Sequence, residues 1–124
     1  MLLSSLNLCV SALNVGVITP PNMDTSGRTQ YPVLLRPYGG PNSQTVQERF
    51  KLDWSHYLCS ELGYIVLEVD GRGTGYRGRR FRSVIRGNLG DVEVKDQIAV
   101  AEEWGKLPFV NEKKIGIQGW SYGG

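Results

Sequence analysis

Histidine is almost missing from this sequence: His56 is the single one among 124 residues. Cysteine is scarce too, with Cys9 and Cys59 far apart and at no metal-ligand spacing. A zinc or thiolate site has too few soft ligands here, and no metal is expected. The two thiols read as buried or partly buried groups that leave the redox compartment undecided. Long hydrophobic runs are also wanting. Residues 1–18 are apolar but broken by Ser4, Ser5, Asn7, Ser11 and Asn14, so no membrane-spanning helix of about twenty residues is expected. No basic residue precedes Arg28, which removes the charged start of a secretory signal peptide. There is no Asn-x-Ser/Thr acceptor, no internal repeat and no low-complexity tract. Nor does one charge sign dominate: 14 Lys+Arg against 12 Asp+Glu leave +2, too little to argue for a nucleic-acid or membrane partner.

What is present is a composition of 40% hydrophobic and 21% charged residues, that of a globular domain rather than a disordered or collagen-like chain. The length allows one domain with a modest core. Glycine is abundant, 16 residues that bunch from Gly71 onward.

The hydrophobic pattern predicts a strand over about 14–19, followed by a turn-rich break at Pro20-Pro21-Asn22-Met23. Residues 31–35 are apolar on both faces, as in a covered parallel sheet, and lead into a Pro- and Gly-rich loop. Phe50, Trp54, Tyr57, Leu58 and Leu62 fall at helical spacing and predict an amphipathic helix over 48–62, stopped by Gly63 and capped by Asp53. A second buried strand follows at 64–69. A second helix follows over 91–107 on a stripe of Val94, Ile98, Ala101 and Gly105, and a third strand over 114–118. Strands alternating with helices predict an α/β fold: a mostly parallel sheet with crossover helices.

Three segments carry candidate chemistry. Gly119-Trp120-Ser121-Tyr122-Gly123 follows the third strand. A Gly-x-Ser-x-Gly pattern there fits a strand-to-helix turn so sharp that the serine adopts φ > 0, and side chains two positions away would clash. Ser121 is then a candidate nucleophile, with the Tyr122 backbone N–H facing a developing oxyanion. Tyr38-Gly39-Gly40-Pro41 ends the 31–35 strand and offers a second oxyanion donor, through glycine N–H groups or the Tyr38 hydroxyl. Gly73-Thr74-Gly75-Tyr76-Arg77-Gly78 is a literal Gly-x-Gly-x-x-Gly. A dinucleotide site would need an apolar helix next and an acidic residue about 20 positions on; instead Arg79-Arg80-Phe81-Arg82 follows. Arginines 72, 77, 79, 80, 82 and 86 occur with no acidic residue between Gly71 and Gly90, which reads as a solvated or neutralised loop more than as a nucleic-acid patch. His56 precedes Ser121, against the order serine, acid, histidine of α/β-hydrolases, and reads as a structural helix residue near Asp53.

Tyr38-Gly39-Gly40-Pro41, Asp70-Gly71-Arg72-Gly73-Thr74-Gly75-Tyr76 and Gly119-Trp120-Ser121-Tyr122-Gly123-Gly124, in this order, resemble the dipeptidyl peptidase IV branch of the prolyl oligopeptidase family. Pro20-Pro21-Asn22-Met23 and Arg36-Pro37-Tyr38 are similar to the fungal dipeptidyl aminopeptidases within it. The resemblance spans residues 14–124 and leaves 1–13 as an ill-matched segment. It implies the N-terminal part of an α/β-hydrolase domain, with Ser121 as acylating nucleophile, the Tyr122 N–H and the Tyr38 hydroxyl as oxyanion donors, and Gly119 and Gly123 as elbow glycines. Tyr122 would also line the pocket for proline or alanine at the second substrate position. By resemblance the activity is release of N-terminal dipeptides by a serine exopeptidase that uses no cofactor and no metal. Homodimers and a secretory, vacuolar or extracellular setting are typical of the family. The family's propeller has no counterpart here. Its aspartate and histidine fall after Gly124, so the isolated chain is expected to be nearly inert. A non-catalytic fragment or interaction module is the alternative, and a dinucleotide-binding domain the less favoured one.

Overall fold

Ile65, Val66, Leu67, Glu68, Val69 and Asp70 are all buried, the condition of a strand covered on both faces. A computed structural model of the chain describes residues 2–8 and 11–124, with side chains described from Leu13 onward; Cys9 lies outside the described residues. The elements in chain order are β1 (Leu2–Leu8), β2 (Ser11–Ile18), β3 (Tyr31–Leu35), α1 (Trp54–Ser60), β4 (Ile65–Asp70), α2 (Arg79–Ser83), α3 (Asp91–Gly105) and β5 (Val110–Ile117), then a single 3₁₀ turn at Ser121–Gly123. The sheet order is β1-β2-β4-β3-β5. β3 runs parallel to both β4 and β5, while β2 is antiparallel to β4 and to β1. Four of the five strands thus point the same way, in an α/β fold with a mostly parallel sheet.

Alternation along β4 divides the core. Ile65, Leu67 and Val69 join Leu13, Val15, Val33, Leu35, Val100 and Trp104 in the larger cluster, on the α3 side. Val66 faces the other way and packs with Leu58 and Cys59 of α1. Burial pushes the Cys59 thiol up to about 11, so it stays protonated and packs as a small hydrophobe.

The α1-side face of β4 becomes polar toward its end. Asp70 is 3% exposed and accepts hydrogen bonds from Thr45 N (3.0 Å) and Val46 N (2.9 Å). Around it, Asn42 N donates to the Gly73 carbonyl and Gly75 N to the Ser43 carbonyl. The segment after β4 therefore clamps the loop after β3. Its glycines are spacing devices: a Cβ at Gly75 would lie 2.8 Å from the Asn42 carbonyl oxygen, and one at Gly73 2.7 Å from Ile85 Cδ1. Thus the first two glycines of the Gly-x-Gly-x-x-Gly segment are occupied by protein contacts, and the third, Gly78, precedes the helix Arg79–Ser83. Arg72 is tied to buried Asp96 of α3 through its backbone N–H (2.7 Å) and its guanidinium (2.9 Å), which completes the clamp from the far side.

Two helices differ from the sequence expectation. The predicted 48–62 helix is cut to Trp54–Ser60, because Asp53 caps it: its carboxylate accepts from Ser55 N and its own N–H donates to His56 Nδ1. Phe50 and Leu62 fall outside, and Phe50, Trp54, Tyr57 and Leu62 are all about half exposed or more. The aromatic periodicity marked a face that these residues leave open, with Trp54 and Tyr57 stacked on each other at 5.1 Å. In α3 the buried face is Asp96, Val100 and Trp104, not the expected stripe of Val94, Ile98, Ala101 and Gly105. Asp96 pairs there with Arg72, and Trp104 packs in the larger apolar cluster. The last strand begins at Val110, earlier than position 114, since an irregular register lets exposed Glu112, Lys113 and Lys114 sit on an edge strand.

Burial opposes ionisation of Asp53, but the Lys51 ammonium, joined by the Ser55 backbone N–H, outweighs it and holds the carboxyl well below the usual carboxylate range. Stability from a depressed carboxylate is present above its unfolded value and lost as pH falls. Asp53→Asn is expected to lower the urea midpoint at neutral pH and to lose that deficit as pH drops below about 3.8. Asp70→Ala strands two backbone N–H groups and is expected to cost roughly 2–4 kcal/mol in urea unfolding.

Candidate active site

The chain leaves β3 for β4 over α1, then returns over α3 to β5 on the opposite side of β3. The carboxyl ends of β3 and β5 thus meet where the winding reverses, the place at which open α/β sheets bind ligands. The loop after β3 carries Tyr38, and the turn after β5 carries Ser121. The ladder holds them together to its last rung, where Gln118 N donates to the Leu35 carbonyl.

Ser121 has φ 53°. Such a conformation costs about 1–3 kcal/mol in a residue with a side chain and persists only where its surroundings enforce it. The enforcement is visible in two glycines. A Cβ on Gly119 would lie 1.8 Å from the Gly123 carbonyl oxygen, and one on Gly123 would lie 2.2 Å from the Pro37 carbonyl oxygen. Backbone rests directly on backbone at both points, so neither position admits alanine. The turn is closed by Gly123 N donating to the Trp120 carbonyl and Gly124 N to the Ser121 carbonyl. Ser121 itself is exposed.

Tyr38 is half-buried, and its ring is held from two sides. Trp120 lies with its ring centroid 5.8 Å away, and Gly40 is so close that a Cβ there would sit 2.8 Å from Tyr38 Cε1. The Gly123 contact reaches Tyr38 Cα as well, so the structure brings the Ser121 turn against the Tyr38 loop. Tyr122 turns toward α3, where its hydroxyl donates to Glu93 Oε1 at 2.6 Å. That hydrogen bond, ahead of burial and of the Glu93 charge, pushes the phenol up to about 12.

Two concavities flank the turn. On the α1 side, a cavity of about 810 Å³ is lined by Arg36, Tyr38, Phe50, Lys51, Glu68 and Trp120, among others. Three of its charges join one ion-pair cluster: Lys51 Nζ lies 2.8 Å from Asp53 and 3.3 Å from buried Glu68, and Arg36 lies 3.7 Å from Asp53. On the α3 side, an apolar groove of about 420 Å³ runs past Tyr122, Val94, Ile98, Ala101, Ile115 and Ile117. Val94, Ile98 and Ala101 of the expected stripe line this groove, Ala101 also packing against the core cluster.

His56 sits in the capping box of α1. No group of three His, Cys, Asp or Glu residues arranged to hold a metal occurs among the described residues, and no described helix is long and apolar enough to cross a membrane. Sequence reasoning missed Glu93, which accepts the Gly90 N–H through Oε2 and the Tyr122 hydroxyl through Oε1. The capping arrangement is legible in Gly90-Asp91-Val92-Glu93; the partner 29 residues on is not.

The prolyl oligopeptidase family model matches residues 50–124. The probable dipeptidyl-aminopeptidase B of Ajellomyces capsulatus (strain H88) is 55% identical over 105 residues, covering 85% of this chain and 11% of that protein. The one from Arthroderma benhamiae is 49% identical over 121 residues, covering 98% of this chain and 13% of that protein. Among solved structures, Porphyromonas gingivalis dipeptidyl peptidase 4 superposes with a TM-score of 0.88 at 44% identity, over 97% of this chain and 17% of its own. The chain thus spans about a tenth of the curated relatives it matches. A strained serine between obligatory glycines, set at the reversal point of a parallel sheet, agrees with that similarity, and the chain belongs to the prolyl oligopeptidase family.

Proposed function

We propose that these residues carry the nucleophile and the oxyanion-binding groups of a serine dipeptidyl peptidase. The observation that carries the reading is Ser121 at φ 53°, exposed, and buttressed by Gly119 and Gly123 against the Tyr38 loop. In the proposed reaction, Ser121 Oγ attacks the carbonyl of the second residue of a peptide. The new oxyanion is held by the Tyr122 backbone N–H and the Tyr38 hydroxyl, which need not reorganise because their backbones are already packed. A base from outside these residues takes the Ser121 Oγ proton and gives it to the departing amine, then takes a proton from the water that releases the dipeptide from the acyl-serine. The Tyr122 side chain and the apolar groove beside it suit a small second residue such as proline or alanine. No cofactor is needed.

His56 is the sequence's single histidine and it caps α1. The base and acid of a triad then come from other polypeptide, which accords with the small share of each relative that the chain covers. Turnover by the 124 residues alone is accordingly negligible, while the strained serine remains reactive toward strong electrophiles. A homodimer and a secretory or vacuolar setting are proposed for the longer protein on the strength of its relatives.

The chain should react slowly with a fluorophosphonate, at Ser121 and at no other serine, and free imidazole should accelerate the reaction by supplying the missing base. Peptide mass spectrometry locates the adduct; equal labelling of other serines, or labelling that survives Ser121→Ala, would refute the assignment. Glu93→Ala removes both the hydrogen-bond acceptor and the charge that hold the Tyr122 phenol. One tyrosine titrating near 12 should then move toward the ordinary value of 10.0, read from phenolate absorbance against pH.

A further inference from the structure

The arginine-rich segment plays no part in this chemistry, and its surroundings leave its charge unbalanced. Of the six arginines from 72 to 86, Arg72 is bound to Asp96, and Arg77 lies over the Phe81 ring at 4.9 Å and donates to Asn14 Oδ1. Arg79, Arg80, Arg82 and Arg86 are exposed, and no ion pair reaches them among the described residues. Arg82 donates to the neutral side chain of Asn42 at 3.3 Å. Arg79 and Arg82 stand three apart on α2, a like-charge spacing that weakens a helix. Setting these four exposed arginines aside turns the formal charge of the chain from +2 to −2. Four exposed guanidinium groups without an ion-pair partner among the described residues thus stand within eight positions of one another.

The segment that bears them is firmly built. Gly73 N donates to the Phe81 carbonyl, and Arg82 N to the Gly78 carbonyl. Ile85 is 4% exposed and seats against Gly73. At its margin Tyr76 is held at φ 64° with 83% of its surface exposed, so backbone strain is spent on presenting an aromatic ring to solvent. Val84 and Leu89 add exposed apolar surface nearby in the chain.

We propose that Arg79, Arg80, Arg82 and Arg86, together with Tyr76, form a docking surface for a short acidic segment of another polypeptide. Carboxylates pair with the guanidinium forks. A nucleic acid fits worse, because the exposed Tyr76, Val84 and Leu89 side chains beside these arginines in the chain offer apolar contact that a phosphate backbone does not use. Tyr76, Val84 and Leu89 give apolar footing suited to a polypeptide.

The test is anisotropy of a fluorescein-labelled peptide of alternating Glu and Leu, titrated with the 124-residue chain. Binding should weaken with added salt. It should fall by about tenfold or more in R79Q/R80Q/R82Q and several-fold in Tyr76→Ala. Lys113→Gln with Lys114→Gln, on the exposed edge of β5, should leave it unchanged. The glutamines replace exposed side chains, and far-UV circular dichroism reports any variant that has lost its fold. Absence of binding at low salt, equal loss in the lysine variant, or tighter binding of single-stranded oligonucleotide or phosphatidylserine vesicles would overturn the proposal. Each of these outcomes is independent of whether Ser121 reacts.

Discussion

The contact between the turn at Ser121 and the peptide joining Pro37 to Tyr38 governs the architecture around the site. Gly123 meets the Pro37 carbonyl at a separation that leaves no room for a methyl group, and Gly119 meets Gly123 in the same way. Two loops that leave neighbouring parallel strands are thereby locked backbone to backbone. Side chains could not set this distance so tightly, since they relax through their rotamers. A backbone contact fixes where the Ser121 side chain stands relative to the Tyr38 ring. The contact needs β3 and β5 as neighbours, and that adjacency arises only because the winding of the sheet reverses at β3.

The clamp after β4 supports the same loop from behind. A buried carboxylate is costly unless its lone pairs are used, and burial does raise the tendency of Asp70 to hold a proton. The backbone N–H groups of Thr45 and Val46 oppose that tendency. Asp96 accepts hydrogen bonds from the Arg72 backbone N–H and guanidinium. Both carboxylates anchor loops, Asp70 the one after β3 and Asp96 the one after β4. Polar burial here serves placement of loops, while the larger apolar cluster supplies the cohesion.

Local signals were legible where chemistry is local. Ile65 to Val69 reads as a covered strand because nearly every residue is apolar, and Asp53 reads as a helix cap because its side chain acts on its own neighbours. Where the question was which face a partner covers, the pattern was ambiguous. Phe50, Trp54, Tyr57 and Leu62 keep helical spacing yet remain open, and Val94 and Ile98 line a groove instead of the core. Periodicity reports that a face is apolar; what packs on it depends on other segments.

The sequence by itself determined the α/β alternation, the buried strands and the sharp turn at Ser121, because each follows from sterics and hydrophobicity within a few residues. Glycines at 119 and 123 announce a crowded backbone wherever the chain happens to lie. Only the tertiary structure decided that the crowding comes from Pro37 and that Glu93 holds the Tyr122 hydroxyl. It also decided that the Gly73 and Gly75 motif grips the Asn42 loop. These pairings join residues tens of positions apart. They exist because strand order places them side by side, a property of how loops close in space rather than of any one segment.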